Sequence, residues 1–190
     1  MSLIVTKSGR CIATLIVSLA GILPMQQGQA APAWVDSASV ETGAKSKVRL
    51  LRVGIASAWG NQWFHSNGTH VGGYWDLSLA HWRGNAFGNV VGQHQSLNSL
   101  GLTPVFRFQS DDRQGWYAEG GIGIHFLSER YDNDGNQLST LFQFGDHLGA
   151  GYVFANKWEL GAKIQHFSNG GIKKPNSGEN LLVFKLVRPF

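Results

Sequence analysis

From residue 49 onward the chain keeps switching between two kinds of side chain with a period of two. In 158–168, W-E-L-G-A-K-I-Q-H-F-S, the even positions are Trp158, Leu160, Ala162, Ile164, His166 and Ser168. The odd positions are Glu159, Gly161, Lys163, Gln165 and Phe167. Successive side chains of a strand point to opposite faces, so this segment is a strand with one face apolar up to its last two residues. The same alternation recurs over 49–59, 71–82, 98–109, 116–127, 142–154 and 181–190, with a weaker stretch at 33–43. The pattern predicts eight strands and no helix.

What each face carries decides which solvent it meets. The polar faces hold Arg52, Asp76, Arg107, Glu119, Glu159 and Lys163 among many of the chain's 25 glycines. The apolar faces hold the large aromatics. This distribution suits an all-β fold, an eight-stranded antiparallel transmembrane β-barrel, with its apolar side to lipid and a polar interior of paired charges and small residues. Closure removes the unpaired strand edges that a bilayer cannot satisfy. The alternative is a secreted soluble barrel with an apolar lumen. A last strand ending in Phe190 resembles the signal that outer-membrane barrels present to the barrel-assembly machinery, which favours the membrane reading.

Residues 1–30 are expected to be a cleaved signal peptide, leaving 31–190 as the barrel domain. Lys7 and Arg10 precede a short apolar run, and Gly28-Gln29-Ala30 offers small residues where a signal peptidase reads. The run is too short for a membrane anchor. Cleavage would remove Cys11, the one cysteine, and with it disulfide or thiol chemistry. Losing Lys7 and Arg10 takes 16 basic residues to 14, against 12 acidic ones, a balance that gives no reason to expect nucleic acid.

An even-stranded barrel of the bacterial outer membrane has short periplasmic turns and longer outer loops. The connections at 43–46, 84–92, 129–137 and 169–179 are then extracellular, and those at 60–69, 110–115 and 155–156 periplasmic. The seventh strand therefore ends at the outer rim with His166 and Ser168 on its lipid-facing side. Neighbours on one face of a strand start roughly 7 Å apart, within reach of ordinary rotamers. Serine needs a base to take its proton, and the imidazole needs an acceptor on its other nitrogen. Glu179 lies where the 169–179 loop returns to the barrel; Asp146 lies on the outward face of the neighbouring strand. Strict alternation back from Phe190 puts Asn180 outward, so Glu179 would need a bulge to reach the histidine. Polar groups facing lipid are costly unless they are used.

The stretch H-F-S-N-G-G-I-K-K-P-N at 166–176, with the preceding A-K-I-Q, resembles the outer-membrane lipid A 3-O-deacylases of the PagL family. The resemblance extends to G-Y-W-D-L-S-L-A-H-W at 73–82, T-P-V-F-R-F at 103–108, E-G-G-I-G-I at 119–124 and F-G-D-H-L-G-A-G at 144–151. It implies an eight-stranded barrel that hydrolyses the ester at position 3 of lipid A, without metal or cofactor, using a serine, a histidine and a glutamate. Carried over, Ser168 is the nucleophile, His166 the base and Glu179 the acid, with Asp146 as the alternative. Some members place the glutamate one residue later, where this chain has Asn180. Asn169, Gly170, Gly171 and Asn176 would suit an oxyanion hole, and Phe142, Phe144 and Phe167 contacts to acyl chain or rim. Lys173 and Lys174 could meet sugar phosphates. The implied partners are lipopolysaccharide and the outer membrane.

Two other functions fit the same barrel. A non-enzymatic structural or adhesive barrel would not need Ser168. A related acyltransferase or phospholipase would move the acyl group to an acceptor or cleave glycerophospholipid. No zinc spacing, phosphate-binding glycine loop or nucleotide fingerprint is present.

Overall fold

The computed structural model describes residues 32–190. The expected signal peptide lies outside these residues. The strands are β1 (Ser37–Lys45), β2 (Val48–Ala58), β3 (Trp63–Ser66), β4 (Thr69–Gly84), β5 (Gln95–Ser110), β6 (Gly115–Leu127), β7 (Tyr131–Asn133), β8 (Asn136–Leu138), β9 (Phe142–Val153), β10 (Glu159–Ser168) and β11 (Glu179–Pro189). Strands β1, β2, β4, β5, β6, β9, β10 and β11 each pair with two antiparallel neighbours and close a barrel. Closure comes from β2 on β4, with Leu51 opposite His81, and from β1 on β11, with Val40 opposite Leu186. Strand β3 extends β4 at the end where β1 begins and β11 finishes, and β7–β8 is a hairpin inside the connection between β6 and β9.

These are the eight strands expected from the alternation. The first begins at Ser37 instead of 33, because a turn precedes it: Val35 N–H donates to Pro32 O at 2.8 Å. The apolar faces do point outward. Leu148 and Ile164, in mid-strand, are 74% and 64% exposed. Inside, Arg52, Arg107, Lys163 and Lys185 meet Glu41, Asp76, Glu119 and Glu159, four cations against four carboxylates. Arg107 holds Glu119 at 2.7 Å and Glu159 at 3.0 Å, with its guanidinium carbon 3.9 Å from the centre of the Tyr117 ring. Ionic groups inside the wall are tolerable because each has a partner. Interior glycines make the room: a Cβ at Gly145 would come 2.5 Å from the His125 ring.

The interior changes character toward the long-loop end. Val48, Leu50, Trp82, Leu97, Leu127, Phe167, Leu181 and Val183 form an apolar plug there, joined by Tyr131 and Leu138 of the β7–β8 hairpin. That hairpin turns on Asp134-Gly135, both at positive φ, as a two-residue hairpin requires. It is tied down by Asn133, whose Oδ1 accepts from Ala86 N–H at 2.8 Å, and by Lys47 to Asp134 at 2.6 Å. The plug forms an apolar platform beneath the rim.

Candidate active site

Strand β10 ends on that platform. His166 lies opposite Asn180 of β11 on one side and Asp146 of β9 on the other. Its Nδ1 donates to Asn180 Oδ1 at 2.7 Å. The amide oxygen only accepts, so the ring proton sits on Nδ1 and the lone pair on Nε2. Ser168 follows two residues later on the same outward face, half-buried and opposite Phe144. Gly178 supplies the space behind the ring. A Cβ there would lie 2.6 Å from His166 Cε1, and the residue has φ of +74°, a conformation that disfavours any side chain.

Below the imidazole an open groove of about 850 Å³ crosses the outer wall. Leu148, Ile164, Ile122 and Phe106 flank it, and Gly120 and Gly121 leave its floor bare. It is an apolar trough on the lipid side, with a polar pair at its upper end.

The sequence model of the lipid A 3-O-deacylase (PagL) family matches residues 49–188. The chain belongs to this family. It is 32% identical to the lipid A deacylase PagL of Pseudomonas aeruginosa over 165 residues, covering 86% of this chain and 91% of that one. With the lipid A deacylase PagL of Bordetella bronchiseptica it shares 38% identity over 79 residues, 42% of this chain and 43% of that one. The crystal structure of the outer membrane enzyme PagL superposes with a TM-score of 0.68 at 28% identity, over 82% of this chain and 99% of that one. Neisserial surface protein A shares the fold alone, with a TM-score of 0.51 at 14% identity, over 82% of this chain and 95% of that one. The chain is thus an outer-membrane β-barrel enzyme of the PagL family, and the long-loop end is the extracellular one.

Other expected site residues of this PagL-family chain sit differently from the reading of the sequence. Glu179 does not reach His166. It is opposite Phe167, points into the barrel and is 1% exposed. Its carboxylate accepts from Tyr131 OH at 2.7 Å and Asn136 Nδ2 at 3.1 Å, and pairs with Lys45 at 2.9 Å. No bulge interrupts β11, so alternation holds and Asn180 has the outward place. Burial, reinforced by the Glu179 charge, pushes the Tyr131 hydroxyl up, so it remains a neutral donor. Asp146 is outward beside His166, but the hydrogen bond of the ring goes to Asn180. Phe167 is likewise not a lipid contact: it is buried in the plug, with its ring centre 4.7 Å from that of Trp82.

The loop after Ser168 is held by its own side chains. Asn169 is fully buried; its Nδ2 donates to Lys173 O at 2.7 Å and its Oδ1 accepts from Gly171 N–H at 3.0 Å. The N–H of Asn169 donates to Asn176 Oδ1 at 3.0 Å. The Asn169 side chain and the Gly171 N–H are therefore already committed. Gly170 N–H and the Asn176 amide nitrogen carry no hydrogen bond among the described residues. Phe144 packs against Phe142 at 5.0 Å and closes on Gly170, whose Cβ would be 3.1 Å from its ring. Lys173 and Lys174 are exposed at the loop tip.

Gly178 and the pairing of Asn180 were not read from the sequence as site features. For Asn180 the signal was strict alternation; for Gly178 a single glycine in a loop says nothing of what lies behind it. Gly178→Ala is expected to push the imidazole out of line and lower turnover about 10²-fold, the effect of roughly 1 Å of misplacement. Initial rates on lipid A micelles, with protein shown to be folded, check this.

Proposed function

We propose that this chain hydrolyses the ester-linked 3-hydroxyacyl chain at position 3 of lipid A in the outer leaflet, with Ser168 as nucleophile and His166 as general base. The observation that carries the reading is the His166–Asn180 hydrogen bond beside Ser168, at the head of an apolar lipid-facing groove. The names of the two relatives, lipid A deacylases both, support the substrate.

In this reading lipid A diffuses laterally to the rim with its acyl chains still in the bilayer, one of them along the groove. His166 Nε2 takes the hydroxyl proton as Ser168 Oγ attacks the ester carbonyl. The tetrahedral oxyanion is met by the Asn176 amide and Gly170 N–H, each such donor contributing about 3 kcal/mol in acyl transfer. Collapse expels the sugar 3-hydroxyl, which takes the proton from the imidazolium. Water, deprotonated by His166, then cleaves the acyl-serine and releases a 3-hydroxy fatty acid. Asn180 takes the orienting role expected of Glu179. Being neutral, it fixes the ring and its tautomer but adds no charge to stabilise the imidazolium.

Mass spectrometry of lipid A tests this in cells whose lipid A carries the 3-linked ester. Loss of one 3-hydroxyacyl mass on expression of the folded protein, with free 3-hydroxy fatty acid released, is the expected result. A shift of the acyl group to another lipid would indicate a transferase, lysophospholipid a phospholipase, and unchanged lipids a non-enzymatic barrel.

A further inference from the structure

The periplasmic end gathers a second set of reactive side chains that deacylation does not use. His65 of β3, His70 of β4 and Asp111 of the β5–β6 turn bring one ligand atom each to within 4.8 Å of one another. His70 Nδ1 lies 2.8 Å from Asp111 Oδ1, and His65 Nδ1 lies 3.6 Å from the same oxygen. It is the one group of this kind among the described residues.

Local backbone geometry creates the convergence. Trp63 pairs with Val71 and Ser66 with Thr69, so two residues of β3, Phe64 and His65, oppose the single His70. This is a β-bulge, which re-aims a side chain. Phe64 absorbs it at φ of 56°, a conformation bulky residues rarely adopt, and is left 82% exposed. In return His65 stands over His70, their ring centres 5.5 Å apart and 30° from parallel. Asp111 is fixed to the same hairpin by its N–H, which donates to Gly68 O at 2.9 Å.

We infer that His65, His70 and Asp111 form a binding site for a divalent transition cation of the zinc class. Two imidazoles and one carboxylate are a donor set that zinc takes with a water as fourth ligand. Tetrahedral bonds of about 2.0–2.1 Å put neighbouring donor atoms about 3.3 Å apart. The observed separations of 2.8 and 3.6 Å bracket that value. The Gln109 amide nitrogen lies 3.3 Å from His70 Nε2, directly across the β4–β5 ladder. On metal binding a flip of that amide would turn its carbonyl to the ring, accept the Nε2 proton and leave Nδ1 as the metal-facing lone pair. The ion would clip the β3–β4 hairpin to the β5–β6 turn, at the opposite end of the barrel from Ser168.

The test uses the folded full barrel in detergent micelles, stripped with chelator and dialysed against zinc chloride, with bound zinc counted by elemental analysis. Wild type is expected to retain one zinc per chain. His65→Ala and Asp111→Asn, both changes at exposed side chains that leave the barrel wall intact, are expected to bind at least tenfold more weakly. His94→Ala, in an extracellular loop, is expected to bind as wild type. Cobalt in place of zinc should give the visible absorption of a tetrahedral site in wild type and not in His65→Ala. No retained zinc, equal retention in wild type and His65→Ala, or loss in His94→Ala would each overturn the assignment.

Discussion

Ser168→Ala is expected to lower the rate of 3-hydroxyacyl release by at least about 10⁴-fold with the barrel intact. The magnitude follows from the division of labour in serine hydrolases, where removing the nucleophile forfeits covalent catalysis but leaves oxyanion donors and substrate binding in place. Residual activity would come from His166 activating a water directly. Because Ser168 is half-buried at the rim and carries only a hydroxyl, its loss changes packing little. Asn180→Ala should do much less, about 10- to 10²-fold, because it frees the ring without removing a reacting group. The measurement is fatty-acid release from lipid A in mixed micelles, with heat-modifiable electrophoretic mobility as the check on folding. A Ser168→Ala protein keeping a tenth of wild-type activity would sink the nucleophile assignment.

The order of those two effects shows what the sequence could and could not convey. The barrel was legible because alternation is a local property. Leu148 and Ile164 outward and Lys163 inward follow from counting by two, and the pairings β9–β10 and β10–β11 keep that count without a shift. The outward places of His166 and Ser168 at the rim were legible for the same reason. The hydrogen-bond partner of His166 was not, because choosing it weighed residue type against parity. Glu179 has the right chemistry and the wrong parity; Asn180 has the right parity and a side chain that orients a ring without charge. Parity prevailed because the buried carboxylate had partners waiting inside, Lys45, Tyr131 and Asn136, two of them on the β7–β8 segment. In the sequence that hairpin shows only as an outer loop, since its burial depends on the apolar plug that it helps to form. Phe167 differs from expectation for a related reason: its aromatic ring suggests a rim contact, but its parity is inward and the interior near the rim is apolar. The His65–His70–Asp111 cluster had no signature at all. It depends on a bulge in a four-residue strand and on a turn some forty residues away.

Glu119→Gln is expected to destabilise the barrel wall strongly. The Glu119 carboxylate joins Lys185 and Arg107, and also accepts from Tyr74 OH at 2.9 Å. Neutralising it leaves four interior cations facing three carboxylates. Arg107 keeps Glu159 at 3.0 Å, but Lys185 is left with the Tyr74 hydroxyl at 3.2 Å. Stranding a buried charge in this way costs about 3–5 kcal/mol. The periplasmic-end cavity, about 390 Å³, reaches both Arg107 and Lys185, so water takes up part of the stranded charge. The expectation is therefore the lower figure, about 3 kcal/mol. Reversible urea unfolding into lipid vesicles reads it as a lowered midpoint at constant slope. Lys185→Met in the Glu119→Gln background should recover part of the loss, since it removes the stranded cation and leaves apolar bulk in its place. A cost below about 1 kcal/mol for Glu119→Gln, or no coupling between the two positions, would mean that interior water and not the ion network holds these charges.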